Sequence, residues 1–163
     1  MKDAGLPRRK TRRTACREEA AFLDLLRTTD VLSYRPAQVL KTADLSATQY
    51  NVLRILRGAP EGLTCGEVAN RMITRDPDIT RLLDRLEKRA LVKRRSETSD
   101  RRTWRVILTR KGEEMLKEIL PEYYRLAEEV WGTITTSEAE RIAADLANLS
   151  HQALGLLTSK GKS

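Results

Sequence analysis

Arginines and acids that could do chemistry cluster in two short stretches of the chain, residues 75–78 and 100–102. Guanidinium groups bind phosphate and can grip guanine with two hydrogen bonds, whereas carboxylates can hold a divalent metal ion. The acids of the first stretch, together with Asp84, could suggest a metal-dependent nuclease. No histidine accompanies them, because His151 is the only one in the chain, and there is neither a Gly-rich phosphate loop nor a nucleophile elbow. The pattern therefore favours binding of an anion and indicates that the protein is not an enzyme.

The acids around residue 76 have simpler structural explanations. The pair Asp76-Pro77 is expected to open a helix, with the aspartate as N-cap and the proline at the first helical position. Asp78 would then lie in the first turn and stabilise the positive end of the helix, although it could also accept a hydrogen bond from cytosine. Asp84 lies at helical spacing from Arg81 and Lys88, which favours ion pairs along the helix surface.

The elements that position these residues follow from periodicity. A helix is predicted by an apolar stripe at helical spacing, formed by Ile79, Leu82, Leu83 and Leu86. The opposite side of that helix carries charged residues, namely Arg81, Asp84, Arg85 and Lys88. After Leu91-Val92 the period changes, and an alternating pattern predicts a half-buried strand, with Trp104, Val106 and Leu108 on one side and Arg105 and Ile107 on the other. A helix followed by a basic hairpin is the outline of a winged helix-turn-helix.

Residues typical of helix ends predict the boundaries of the other helices in the chain. Three capping boxes are predicted, at Ser46–Gln49, Thr64–Glu67 and Ser137–Glu140. The helix after the first box is expected to end before Gly58, and the short helix after the second would be the first of the DNA-binding pair. An earlier helix is predicted from about Ala15 to Tyr34, with Pro36 kinking or ending it. Thr109 is expected to cap a long helix that bends at Pro121.

The segment from Asp100 to Thr109 has the form D-x-R-x(5)-L-T and follows the sequence ITRLLDRLEKRALVKRR. Together these two motifs closely resemble the signature of the MarR family of bacterial transcription regulators, and the resemblance runs from about Leu45 to the C-terminal helix. It implies a mainly α fold with a small β-wing, in which a winged helix-turn-helix is flanked by N- and C-terminal dimerisation helices. The expected divisions are a basic arm at 1–14, an N-terminal dimerisation region at 15–44, the DNA-binding domain at 45–109 and C-terminal dimerisation helices at 110–163.

The resemblance also implies which residues contact DNA. Candidates on the recognition helix and its entrance are Arg75, Asp78, Thr80, Arg81, Arg85 and Lys88. In the wing they are Asp100, Arg101 and Arg102, of which Arg102 is expected to enter a minor groove while Asp100 pairs with a nearby arginine. The entrance Arg75-Asp76-Pro77-Asp78 departs from the small serines and threonines usual in the family, which leaves the sequence preference open.

Composition agrees with an anionic partner. The net charge is +8 and the sequence pI is about 9.8, which favours nucleic acid. Two cysteines far apart in sequence suggest neither a disulfide framework nor a zinc site, and no cofactor is expected. No stretch has the ~18 apolar residues that a membrane span requires, so a cytoplasmic location is expected.

The partners implied are double-stranded DNA, a second copy of the chain and a small aromatic ligand held between the dimerising helices and the winged domain. The expected function is a dimeric repressor of inverted-repeat operators. Two alternatives stay open. One is a regulator that senses oxidants through Cys16 or Cys65, since one branch of the family uses a cysteine in its first helix. The other is a winged-helix module that contacts proteins without specific DNA.

Overall fold

A computed structural model describes residues 16–74, 76–96 and 104–159. Eight elements follow one another in it: α1 (Arg17–Thr42), α2 (Ala47–Arg57), α3 (Cys65–Arg71), α4 (Ile79–Lys88), β1 (Val92–Ser96), β2 (Trp104–Leu108), α5 (Arg110–Trp131) and α6 (Thr136–Ser159). The predicted class, mainly helical with a small β-wing, is confirmed.

The core lies among α2, α3, α4, the two strands and the first half of α5. Its most completely buried side chains are aliphatic, as the low aromatic content requires, and they include Leu53, Leu56, Leu82, Leu83, Leu86, Leu91 and Leu116. The stripe predicted for α4 faces this core, since three of its leucines are buried and Ile79 packs at the edge. The helix that carries the basic residues is therefore fixed by its apolar side.

The wing strands pair antiparallel, with Val92 opposite Leu108 and Ser96 opposite Trp104. Leu63, just before α3, forms an isolated antiparallel β-bridge with Val106 on the other side of β2. Its N–H donates to the carbonyl of Val106 at 3.0 Å and its carbonyl accepts from the N–H of Val106 at 2.7 Å. The predicted alternation is only partly right, because Val106 is buried but Trp104 remains 53% exposed at the end of the strand.

Two of the three predicted capping boxes are confirmed, at Ser46–Gln49 and Thr64–Glu67. The third is wrong by two residues. Thr135 and Glu138 form the reciprocal bonds at the start of α6, where the backbone N–H of Thr135 donates to the Glu138 carboxylate at 2.9 Å. Both spacings satisfy the same pattern, so the sequence alone could not choose between them.

The prediction that Asp76 caps the recognition helix is also wrong. The helix α4 begins at Ile79, and Asp78 is its N-cap, with a carboxylate oxygen that accepts from the N–H of Arg81 at 3.1 Å. Asp76 instead accepts the N–H of Asp78 at 2.9 Å. The two aspartates therefore act in series, one fixing the turn and the next starting the helix.

The first helix continues through Pro36 and does not end near it. It runs eight residues beyond the predicted end at Tyr34, to Thr42. This last part carries Val39 and Leu40 onto the core, and Leu40 is only 3% exposed. Burial of that apolar surface offsets the backbone hydrogen bond that a proline removes.

The exit of α4 is a Schellman motif. The N–H of Leu91 donates to the carbonyl of Leu86 at 3.0 Å, and the N–H of Ala90 donates to the carbonyl of Glu87 at 2.8 Å. Ala90 has φ of 58°, the left-handed conformation in which glycine is usual. Leu86 and Leu91 are both fully buried and supply the apolar contact that accompanies this motif.

The start of α5 packs directly against this exit. A Cβ on Gly112 would lie 2.3 Å from the carbonyl oxygen of Leu91, so only glycine allows the approach. Thr109, confirmed as the N-cap of α5, accepts the N–H of Gly112 at 3.1 Å and donates to the carbonyl of Ala90 at 2.7 Å. One hydroxyl thus joins the end of the wing, the exit of α4 and the start of α5.

Two helices leave large apolar surfaces uncovered. The exposed side chains of α1 are Phe22, Leu25, Leu26, Val31, Leu32 and Tyr34, and those of α6 are Leu146, Leu149 and Leu154. None of the α6 side chains described is buried. Among residues 16–74, 76–96 and 104–159, no helix is long and apolar enough to cross a bilayer.

Candidate nucleic-acid interface

The recognition helix α4 has one buried and one exposed side. The exposed side carries four of the residues predicted to contact DNA, namely Thr80, Arg81, Arg85 and Lys88. Because its apolar side is fixed in the core, these side chains project together from the domain surface. A helix with a free basic side of this kind can enter a major groove.

The N-cap residue of this helix also forms an ion pair with its first arginine. Asp78 is exposed and pairs with Arg81, with 3.1 Å between Oδ2 and Nε. The same carboxylate caps the helix, so the predicted structural role of Asp78 is the one that the geometry supports. Arg75 lies outside the described residues.

The predicted pairing of Asp84 with Arg81 and Lys88 is replaced by a contact with the wing. The guanidinium of Arg94, on β1, lies 2.5 Å from a carboxylate oxygen of Asp84 and also pairs with Glu87. The backbone N–H of Arg94 donates to Glu87 at 3.0 Å. Hydrogen bonding to Asp84 is the largest of the effects that raise the pKa of Arg94 above its usual value.

Arg94 was not singled out from the sequence, because its partners lie seven and ten residues away on another element. Its side chain is 29% exposed. Two carboxylates surround it, so its charge is balanced inside the domain and does not add to the basic surface. The residue fastens the first wing strand to the recognition helix.

Other strand arginines also brace the domain. Arg105 donates to the carbonyl of Gly62 at 3.2 Å and lies 3.7 Å from Glu67. Hydrogen bonds from the backbone and the hydroxyl of Thr64 lower the pKa of Glu67, and Arg105 adds to the effect. Arg95 donates to the carbonyl of Glu61 at 3.2 Å. Arg95 and Arg105 therefore hold the strands against the loop before α3 and the start of that helix.

The predicted wing contacts Asp100, Arg101 and Arg102 lie outside the described residues. The strands on either side of them are described, and their register places Ser96 opposite Trp104.

A crevice lies between α1 and α5. Its volume is about 260 Å³, and its lining is apolar except for Arg35. The lining residues are Val31, Leu32, Arg35, Pro36, Tyr123, Leu126, Ala127, Val130 and Trp131. Arg35 pairs with Glu129 across the two helices at 2.9 Å.

Two other aromatic residues of the domain do not line this crevice. Tyr50 is 5% exposed and stacks on Tyr123 with ring centroids 4.7 Å apart, and Trp104 is on the wing. Burial raises the pKa of Tyr50 to about 12. Residues on either side of Tyr34 do line it, namely Leu32, Arg35 and Pro36.

Neither cysteine belongs to a metal-binding cluster within the part of the chain that the structure describes. Cys16 is exposed and is the N-cap of α1, where its sulfur accepts the N–H of Glu19 at 3.3 Å. Cys65 is half-buried at the first position of α3, with Sγ 3.8 Å from the hydroxyl of Thr80.

The two-helix unit α3–α4, the hairpin beside it and the basic exposed side of α4 define a winged helix-turn-helix protein. A family model described as "MarR family" matches residues 43–103. A MarR transcription factor of known structure from Planctomyces limnophilus is 32% identical, and the match covers 89% of this chain and 99% of that one with a TM-score of 0.60. The chain belongs to the MarR family.

Two further relatives are informative. The transcriptional repressor MprA of Escherichia coli K12 is 30% identical over an alignment of 111 residues, and the match covers 64% of this chain but only 60% of MprA. The structure of the Staphylococcus aureus MepR–DNA complex is 20% identical, with coverage of 82% of this chain and 95% of that one and a TM-score of 0.70. At that identity the second likeness concerns the fold alone.

Proposed function

We propose that this protein is a dimeric transcription regulator that binds inverted-repeat operators and represses until a small molecule releases it. The observation that carries the proposal is the geometry of α4. Its leucines anchor it in the core, and Thr80, Arg81, Arg85 and Lys88 are exposed on the other side. The solved MepR complex, which has the same fold, contains DNA, and MprA is a repressor.

The candidate residues divide by role. Thr80 and Arg81, near the start of α4, are proposed to reach base edges, together with Arg75 just before the helix. Arg85 and Lys88 lie one to two turns later and are proposed to contact phosphates, which supply affinity without sequence choice. Asp78 is proposed to hold Arg81 in place, since it already pairs with that side chain.

The wing is proposed to contact the minor groove beside the same site. Arg102 is the candidate for insertion, Arg101 for a phosphate or a second groove contact, and Asp100 for fixing the turn. The narrow minor groove of A·T tracts concentrates negative potential and attracts arginine. The bracing of β1 onto α4 through Arg94 supports this proposal, because it ties the wing to the recognition helix.

The uncovered apolar surfaces of α1 and α6 support the dimer. Side chains such as Phe22 and Leu149, which are 60% and 55% exposed, are costly to leave in water. A symmetric partner would cover the same surface on both subunits. It would also present two α4 helices to half-sites about one DNA turn apart.

The crevice between α1 and α5 supports ligand control. Its volume suits a single aromatic ring with small substituents, and its apolar walls include Tyr123 and Trp131. Arg35 is the one charged lining residue. A molecule bound there would act by preferring one arrangement of the two helices over the other, and so one spacing of the recognition helices.

The experiment is selection of bound duplexes from random DNA, followed by titration of the recovered sequence. We expect an inverted repeat, and log K that falls steeply with log salt because several phosphates are neutralised. Arg102→Ala should weaken binding by ~1–3 kcal/mol. Arg141→Ala, which removes the same charge from exposed α6, is the control. Failure to recover any motif, with a flat salt response, would refute the proposal.

A further inference from the structure

The helix α2 buries one polar side chain among apolar ones. Asn51 is 5% exposed, between Tyr50 and Val52, which are 5% and 0% exposed. It is the only polar residue of the described chain that is buried to this extent. A buried amide is unfavourable unless its hydrogen bonds are made, so a residue of this kind in the core calls for a specific role.

Asn51 makes one hydrogen bond, and it reaches the turn of the helix-turn-helix. Its Oδ1 accepts the backbone N–H of Ile73 at 2.9 Å. Because a backbone N–H can only donate, this contact also fixes which end of the amide faces the turn. The other end, Nδ2, is buried and has no hydrogen-bond partner among the residues that the structure describes.

Ile73 lies where the chain leaves α3. The C-cap of that helix, Met72, is extended with φ of −65° and ψ of 139°, so the chain turns away at once. The side chain of Ile73 is 78% exposed and cannot hold the turn by packing. The hydrogen bond to Asn51 therefore joins Ile73 to the core, directly after Met72, whose side chain packs against the core.

The turn leads directly into the recognition helix. From Ile73 the chain reaches Asp76 and Asp78, which fix the first turn of α4 through successive side-chain bonds. An anchor at the beginning of the turn and a cap at its end together set where α4 starts. We infer that Asn51 is a positioning residue, which fixes the α3–α4 turn so that the first residues of α4 meet the base edges.

This inference rests on the proposed DNA binding. A role of Asn51 in positioning the turn can be distinguished from a role in stability alone by replacing it with leucine. Leucine has nearly the shape of asparagine and would remove both the turn contact and the unpaired Nδ2. Leucine thus relieves the cost of burying an unpaired Nδ2 but takes the acceptor from the Ile73 N–H, and these two effects on stability oppose each other. A role in stability alone thus predicts no loss of function in Asn51→Leu, whereas a positioning role predicts weaker binding by a protein that is no less stable.

The test compares Asn51→Leu with Val52→Ala, which opens a small cavity in the core at the next residue of the same helix and keeps Asn51. In Asn51→Leu we expect an unchanged melting temperature, faster exchange of the Ile73 amide hydrogen and operator affinity reduced about tenfold. A tenfold loss corresponds to a turn that is correctly placed about one tenth of the time. In Val52→Ala we expect a lower melting temperature, a protected Ile73 amide and unchanged affinity well below that temperature.

Asn51→Ala serves as a second variant with the same expected loss of amide protection and affinity. Equal affinity of wild type and Asn51→Leu would overturn the inference, as would an Ile73 amide that stays protected. So would failure of both position-51 variants to fold, because Asn51 would then serve the core itself. If wild type binds no selected duplex, the proposed function fails instead, and the amide exchange still reports on the turn.

Discussion

Ala90 sits in the left-handed conformation at the exit of the recognition helix, and replacing it with glycine should stabilise the protein. With φ of 58°, its Cβ is close to the following carbonyl oxygen, which costs an L-residue roughly 1–2 kcal/mol. Glycine avoids that cost but loses more backbone entropy on folding, by about 0.5–1 kcal/mol. We therefore expect Ala90→Gly to raise the free energy of unfolding by about 0.75 kcal/mol, the difference between the middles of these two ranges.

The environment of Ala90 makes the comparison clean. Its side chain is exposed, so no packing is lost on removal of the methyl group. The two Schellman hydrogen bonds use backbone atoms and are kept in the variant. Ala144→Gly is the matched control, since it makes the same change on the exposed side of α6. There glycine should cost about 1 kcal/mol.

The assay is chemical unfolding at one fixed protomer concentration, because any association of subunits would make stability depend on concentration. The two variants should move the midpoint in opposite directions, with the slope unchanged. Operator affinity should be the same for Ala90→Gly and wild type. If Ala90→Gly were neutral or destabilising while Ala144→Gly behaved as expected, the strain assigned to the helix exit would be refuted.

Three other outcomes are expected. Arg94→Leu should lose about 1–2 kcal/mol of stability, because it leaves two carboxylates without their cation, and it should also weaken operator binding. Lys93→Leu on the same strand should not destabilise the protein. Denaturant titrations compare the stability of the two variants, and gel-shift titrations compare their operator affinity. Burial raises the pKa of Tyr50 from 10.0 to about 12, so its neutral form is favoured in the folded state. The free energy of unfolding should therefore fall as the pH rises from 10 toward 12. A Tyr50→Phe variant should show a smaller fall. Leu149→Glu should shift the sedimenting species from dimer to monomer, and an unchanged dimer would remove α6 from the interface.

Local signals predicted much of this fold. The stripe of leucines on α4, the box at Thr64–Glu67 and the cap at Thr109 each depend on residues within one or two turns, and each is confirmed. The same kind of signal was wrong where two neighbouring residues satisfied it equally. Asp76 and Asp78 are both suitable N-caps. Asp78 is the N-cap in the structure, while Asp76 accepts a hydrogen bond from the backbone N–H of Asp78.

Features that depend on distant residues could not be predicted. The extension of α1 beyond Pro36 follows from the burial of Leu40 in a core built mostly by later elements. Arg94 looked like one of many basic residues, yet its partners are acids on another element. Asn51 gave no signal at all, because a polar residue in an amphipathic helix is expected at the surface. The roles of the predicted DNA contacts stay predictions.

The hydroxyl of Thr109 has a mechanical consequence. It joins α5 to the exit of α4, and Gly112 lets the two backbones touch. Helix α5 is then a lever about 33 Å long, with its pivot at this joint and Tyr123 about 21 Å along it. A sideways displacement of about 1 Å at that distance turns the lever by about 3°. A molecule that wedges the far part of α5 away from α1 would therefore apply torque where the recognition helix ends, and would move the core residues Leu116 and Leu120 of α5 with it.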